Sequence, residues 1–230
     1  MVNRDPERVR RMFASIAPRY DLLNRLLSLR IDQRWRRQTV AAISERVDGQ
    51  GPILDLCTGT GDLALALAEG NEVFASDFCH PMLVLGARKA ANREAHVPFV
   101  EADTLRLPFP DETFAGLTVA FGLRNLVDYP EGLQEMARVV RPGGVLGVLE
   151  FSVPRTPLLR QLYLFYFSRI LPLIGRLVSG RDGPYSYLPE SVREFPEPGE
   201  LSQIMMRQGF SRIETSTLTG GIATLYVAEK

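Results

Sequence analysis

Apolar and polar positions follow two different rhythms along the chain, and the rhythm changes near residue 50. Before that point it is helical. Val9, Met12, Phe13 and Ile16 recur at three- and four-residue spacing, and so do Leu22, Leu23, Leu26 and Leu27. Pro18 separates these two stretches, and a third helix is expected from about Asp32 to Val47. Beyond it, short apolar runs alternate with amphipathic ones. Pro52–Leu56 reads as a strand, followed by a glycine loop and a helix through Ala68. Glu72–Ser76 reads as a second strand ending at Asp77, and a helix from Pro81 to about Arg93 follows, with its proline suited to a first turn. Val97–Glu101 and Phe114–Ala120 read as the third and fourth strands, Glu131–Val140 as a helix closed by Pro142-Gly143-Gly144, and Val145–Phe151 as the fifth strand. This alternation predicts an α/β fold with a parallel sheet and helices on both faces.

From Pro154 to Pro196 the rhythm breaks into an aromatic, proline-rich segment, read as an insertion over residues 153–197 that covers the ligand-binding edge. A helix near Gly199–Gln208 follows, then strands at about Ser211–Thr217 and Ile222–Ala228. The turn Thr219-Gly220-Gly221 makes these two an antiparallel hairpin at the sheet edge. The expected organisation is a helical cap over 1–48 and a main domain over 49–230.

Composition narrows the class. Apolar residues make up 45% of the 230 and charged residues 23%, the mix of a globular protein with a real core. The formal net charge is zero, so nucleic acid is not an expected partner. The charge is uneven, however: Arg4 to Arg37 holds ten arginines against Asp5, Glu7, Asp21 and Asp32. That face suits an anionic membrane surface or a phosphate, or is simply a solvated helix face. Cys57 and Cys79 make neither a disulfide framework nor a spaced metal site, so a reducing cytoplasm and no metal are expected. The most apolar stretch, Leu158–Val178, is interrupted by Arg160, Arg169 and Arg176 and does not read as a transmembrane helix.

The candidate chemistry starts at Ile53–Asp62 (ILDLCTGTGD), where Gly59 and Gly61 sit between a strand and a helix. Glycines there let the chain turn sharply and let a ligand approach the backbone. With Ala64 the run also fits a dinucleotide pattern, and a purely structural turn fits it too. Asp77 lies at the end of the second strand, where a carboxylate can accept both hydroxyls of a ribose; capping the following helix is its other reading. Asp62 opens the helix after the loop and would oppose a pyrophosphate, whereas a sulfonium and amino-acid tail tolerate it. Asp103, after the third strand, can meet an adenine amino group or be an ordinary loop acid. From the loop alone an NAD-dependent oxidoreductase stays open. Together these residues favour S-adenosyl-L-methionine.

Three runs carry a more specific resemblance: Met12–Asn24 (MFASIAPRYDLLN), Ala120–Asn125 (AFGLRN) and Tyr187–Pro196 (YLPESVREFP). With the glycine loop, Leu107-Pro108-Phe109 and the closing Leu218–Ile222, they resemble the quinone-biosynthesis C-methyltransferases, among them demethylmenaquinone methyltransferases and polyprenyl-benzoquinol methylases. The resemblance covers essentially the whole chain from about Arg8. It implies a Rossmann-like, seven-stranded class I methyltransferase sheet, S-adenosyl-L-methionine as cofactor, and a polyprenylated quinol as methyl acceptor, most closely demethylmenaquinol. A methoxybenzoquinol, a soluble phenol, or a non-catalytic cofactor-binding module are the alternatives. By position it implies cofactor contacts at Thr60, Asp77, Asp103, Thr104 and Ala120, with Gly59 and Gly61 shaping the loop beside Asp55. Many relatives have serine where Ala120 stands, so a hydroxyl contact is lost there. Arg124 and Asn125 follow the fourth strand at the carboxyl edge of the sheet, where open α/β sheets bind ligands. Arg124 can hold a phenolate or pair with Asp128, Asn125 can orient the acceptor oxygen, and Tyr20 can position the ring or only pack. A long-tailed substrate also implies peripheral contact with the inner face of the cytoplasmic membrane, through the arginine-rich start or through 158–177. A homodimer is the remaining partner considered.

Overall fold

The computed structural model describes residues 4–170 and 184–230. Its strands are β1 Ile53–Leu56, β2 Val73–Asp77, β3 Phe99–Glu101, β4 Phe114–Ala120, β5 Val140–Phe151, β6 Ser211–Leu218 and β7 Ala223–Glu229. They form one sheet in the order β3-β2-β1-β4-β5-β7-β6. β1 pairs in parallel with both β2 and β4, while β7 runs antiparallel to β5 and β6. The parallel strands are buried on both faces, which is why they read as near-continuous apolar runs: β1 is buried at all four positions and β4 at six of seven.

Helices cover both faces. α3 (Ile31–Val47) and α4 (Asp62–Leu67) bury Trp35, Ile43, Leu63 and Leu67 on one side. α6 (Tyr129–Val139) buries Leu133 and Met136 on the other. α5 (His80–Asn92) flanks β2 and β3. Local chemistry starts several helices. Asp128 accepts from the backbone N–H of Glu131 at 2.9 Å ahead of Pro130, and Asp5 accepts from Arg8 at 2.9 Å ahead of Pro6.

The chain before β1 is helical. α1 (Pro6–Ile16) runs into a 3-10 turn, Ala17–Arg19, at Pro18, and α2 (Tyr20–Leu27) follows. Ile16 and Ala17 pack with Cys79 and Met82 at the start of α5, which lays this cap over the carboxyl edge of β2. Between β5 and the last helix lie α7 (Pro157–Phe165), a π turn Tyr166–Ile170 and α8 (Pro184–Glu194); α9 (Pro198–Arg207) then leads to β6. Residues 171–177 of the apolar segment fall outside the described residues. No helix among the described residues is long and apolar enough to cross a membrane. β5 begins at Val140, five residues ahead of the apolar run that predicts it, because the Pro142-Gly143-Gly144 stretch enters the sheet through a register shift opposite Phe114 and Gly116.

Candidate active site

Two cavities meet at the carboxyl edge of the sheet. The smaller, about 70 Å³, lies over the ends of β1, β2 and β4. Gly59, Asp77, Asp103, Thr104, Ala120 and Asn125 are in its wall. Asp77 closes β2, and burial pushes its carboxyl up to about 6. Its Oδ2 accepts the Gly59 N–H at 2.8 Å and its Oδ1 the Cys79 N–H at 2.9 Å. One carboxylate thereby fixes both the glycine loop and the entry to α5, and each oxygen keeps a lone pair for a ligand. Asp103 is exposed and caps its own turn through the Leu105 N–H at 3.0 Å, whereas Thr104 is buried. The Asn125 Oδ1 is buried without a hydrogen-bond partner.

Three expected cofactor residues stand outside this wall. Asp55 is buried in the sheet, where its oxygens accept the hydroxyls of Thr58 and Thr118, each at 2.6 Å. It braces β1 against β4 rather than reaching the cavity. The Thr60 hydroxyl donates to Asp21 of α2 at 2.5 Å and accepts from Lys89 at 3.0 Å. Gly61 has φ +79°, and a Cβ there would stand 3.0 Å from the Phe99 ring, so it shapes the loop by conformation and close packing. Asp62 brings a further correction. Burial works against its ionised form, but Lys89, 2.5 Å away, outweighs this and holds the carboxyl below the usual range. Its charge is therefore offset, and it discriminates against a pyrophosphate less than its position at the helix start implies. Nothing in the spacing of Lys89 signals this contact; it arises from α5 passing beside α4.

The larger cavity, about 280 Å³, is walled by aromatic and aliphatic side chains of α1, α2, α3, α7 and the ends of β4 and β5. Trp35, Phe151, Tyr163, Phe167 and Tyr187 are among them. The hydroxyls of Tyr163 and Tyr187 are buried without partners. Phe13, Tyr20 and Phe121 line both cavities, so the two compartments touch at these three rings. Burial raises the Tyr20 phenol and the nearby charge of Arg36 opposes that rise.

Arg124 is in the wall of the larger cavity, but its partner is not Asp128. Its guanidinium pairs with Glu150 of β5 at 2.9 Å, with the two side chains 7% and 1% exposed, and donates to the Phe121 carbonyl. Asp128 is instead the cap of α6. The short loop between β4 and the Leu123–Asn125 turn brings Arg124 back onto β5. It does so through Gly122, where a Cβ would stand 2.3 Å from that of Cys57 in the glycine loop. Arg36 of α3 also reaches this cavity, unforeseen because it belongs to a run of arginines that reads as a charged helix face.

A sheet of this strand order with its last-placed strand antiparallel, and a buried strand-end carboxylate beside a glycine loop, define a class I methyltransferase. Solved structures agree on the fold. An S-adenosyl-L-methionine-dependent methyltransferase from Aquifex aeolicus superposes with a TM-score of 0.56 at 19% identity, covering 78% of this chain and 82% of that one. A protein from Methanococcus maripaludis gives 0.63 at 17%, covering 93% and 91%. The chain belongs to the ubiE/COQ5 methyltransferase family, whose model matches residues 1–230. It is 50% identical over 222 residues to a demethylmenaquinone methyltransferase of Thermus thermophilus, covering 95% of this chain and all of that protein. It is 46% identical over 230 residues to a ubiquinone/menaquinone biosynthesis C-methyltransferase of Geobacter sulfurreducens, covering 97% and 89%.

Proposed function

We propose that this enzyme transfers a methyl group from S-adenosyl-L-methionine to a ring carbon of a polyprenylated quinol, demethylmenaquinol first among them. The observation that carries this reading is the contact of the cleft beside Asp77 and the glycine loop with an aromatic cavity through Phe13, Tyr20 and Phe121. The smaller cavity suits the cofactor. Asp77 offers acceptors for ribose hydroxyls, Asp103 an acceptor for an adenine amino group, and the unpaired Asn125 Oδ1 a partial negative charge for a cation. The cofactor supplies a methyl group already activated on a sulfonium, so the protein mainly aligns donor and acceptor.

The acceptor sets the harder demand. Its ring carbon becomes nucleophilic when a neighbouring hydroxyl loses its proton, which requires the reduced quinol. A phenol ionises near ~10, so the site must make up roughly three pKa units at neutral pH. The unpartnered hydroxyls of Tyr163 and Tyr187 provide donors for quinol oxygens in a cavity walled mainly by apolar side chains. Incubation of the purified protein with the cofactor and reduced demethylmenaquinone is expected to add one methyl group to the ring, detected by mass spectrometry, while the oxidised quinone is left unchanged. A methylated benzoquinol with an untouched naphthoquinol would move the assignment to ubiquinone-type substrates; neither product would remove the quinol reading.

The tail of such a substrate resides in a bilayer, and the mouth of the larger cavity carries a matching surface. Leu22, Leu26 and Leu29 stand exposed at helical spacing in and just after α2, and Leu158, Leu162 and Phe165 do the same on α7. The two helices pack through Leu23, Tyr163 and Phe167, and the Tyr166 hydroxyl donates to the Leu27 carbonyl at 2.7 Å. Arg30, Arg155, Arg160 and Arg169, in and near the same two segments, are exposed as well. Flotation with liposomes containing anionic phospholipid is expected to carry the protein upward at low salt, and Leu162→Glu with Leu26→Glu to abolish this. Equal flotation of the double variant would reject this face.

A further inference from the structure

The larger cavity contains two guanidinium groups in very different states. Arg124 is neutralised: Glu150 lies against it, and the Phe121 carbonyl takes a second bond. Arg36 is held more loosely. Its ion-pair partner, Asp32, comes only to 3.7 Å of Nε, through Oδ2 and beyond hydrogen-bond reach, while Oδ1 of the same carboxylate accepts the Ser28 hydroxyl at 2.5 Å. The Nε of Arg36 and that of Arg124 are both buried with no hydrogen-bond partner, so the two differ in how closely a carboxylate holds the charge. Its guanidinium carbon sits 5.5 Å over the Phe121 ring, one of the three rings shared by both cavities. Among the charges acting on Tyr20, another shared ring, that of Arg36 is the strongest.

A cation half-withdrawn from water with an unused donor is costly, and stacking on an aromatic face offsets only part of that cost. A ligand oxygen can come closer to Arg36 than Asp32 does. We propose that Arg36 is a cation that holds the acceptor's ring oxygen as an aryloxide while the adjacent ring carbon is methylated. The inference rests on the quinol reading above. In the reaction the aryloxide pushes an electron pair into the ring. The ring carbon bonds to the methyl as the carbon–sulfur bond breaks toward sulfur, that carbon then gives its proton to water to restore the ring as its aryloxide, and the aryloxide takes back from water the proton that the quinol hydroxyl gave up at the start. Arg36 stabilises the anionic oxygen at the start and at the end of this sequence, and its place on Phe121 puts that oxygen at the junction with the cofactor. Arg124, held by Glu150, shapes the loop that positions Phe121.

The test reads ionisation directly and does not depend on methyl transfer. The anion of 1-naphthol absorbs at longer wavelength than the neutral form, so its pKa can be titrated when bound. The wild-type protein with S-adenosylhomocysteine is expected to bind 1-naphthol with a pKa at least one unit below its value in solution. Arg36→Met is expected to lose that shift, to bind S-adenosylhomocysteine within threefold of wild type, and to lower kcat about 100-fold, the effect of removing one donor to a developing oxyanion. Arg36→Lys, which retains the charge but not the fork, is expected to retain at least half of the shift. A wild-type protein that leaves the naphthol pKa unchanged overturns the proposal, and so does a Met variant that keeps the shift. Failure of the wild type to methylate any quinol would instead count against the substrate assignment.

Discussion

Arg124→Ala is expected to destabilise the folded protein by about 3–5 kcal/mol, because it leaves the Glu150 carboxylate as an uncompensated charge inside the sheet. Both partners are almost wholly buried, and Glu150 also accepts the backbone N–H groups of Arg124 and Phe151. It cannot turn to water without unravelling the end of β5. Loss of activity in this variant would therefore report collapse of the site rather than a lost chemical step. The paired replacement Arg124→Met with Glu150→Gln removes both charges and keeps a side-chain carbonyl for those N–H groups. It is expected to recover most of the lost stability in urea denaturation. A single variant within about 1 kcal/mol of wild type, or a double variant no better than the single, would show that the pair does not act as a unit.

Asp77→Ala is expected to weaken S-adenosylhomocysteine binding about 100-fold by calorimetry. Two charge-assisted hydrogen bonds to ribose hydroxyls, each worth about 1.5 kcal/mol, account for that factor. The Gly59 and Cys79 N–H groups lose their acceptor as well, so the loop loosens. The same carboxyl sets a pH dependence. Hydroxyl groups need the ionised form, and the group is pushed up to about 6, so affinity is expected to be level above pH 7 and to fall as the pH drops below about 6. In the ligand-free protein the sign reverses. The folded value lies above the ordinary 3.8, so the contribution to stability is fully present below that value and is lost as pH rises through 6. Asp55, also pushed up to about 6 by burial, adds in the same direction. Cofactor should therefore raise the melting temperature more at pH 7.5 than at pH 5. An equal increment at both would separate Asp77 from the ribose.

Much of this architecture is written in local pattern. The apolar runs at Ile53, Val73, Phe114 and Val145 are strands because both faces of a parallel sheet are buried, so nothing polar interrupts them. The hairpin at the sheet edge follows from Thr219-Gly220-Gly221, where Gly220 takes φ +67°. The place of Asp77 was legible because the apolar run Val73–Ser76 ends at it, and it closes β2 there. Thr60 and Asp55 were not. Thr58 lies three residues from Asp55, but Asp21, Lys89 and Thr118 come from other elements, and spacing along one chain carries no information on which of them meet.

The sequence by itself determined the strands, the glycine loop, the strand-end carboxylate and the kinship of the chain. Each depends on backbone periodicity or on short contiguous runs. Only the tertiary structure decided which arginine a carboxylate holds closely and which loosely, and which rings join the two cavities. Those distinctions depend on which elements pack together, and their energies are set by burial and proximity. A run of arginines reads the same whether its members face water, a carboxylate or a substrate; here the packing of α3 against β4 and β5 separates them.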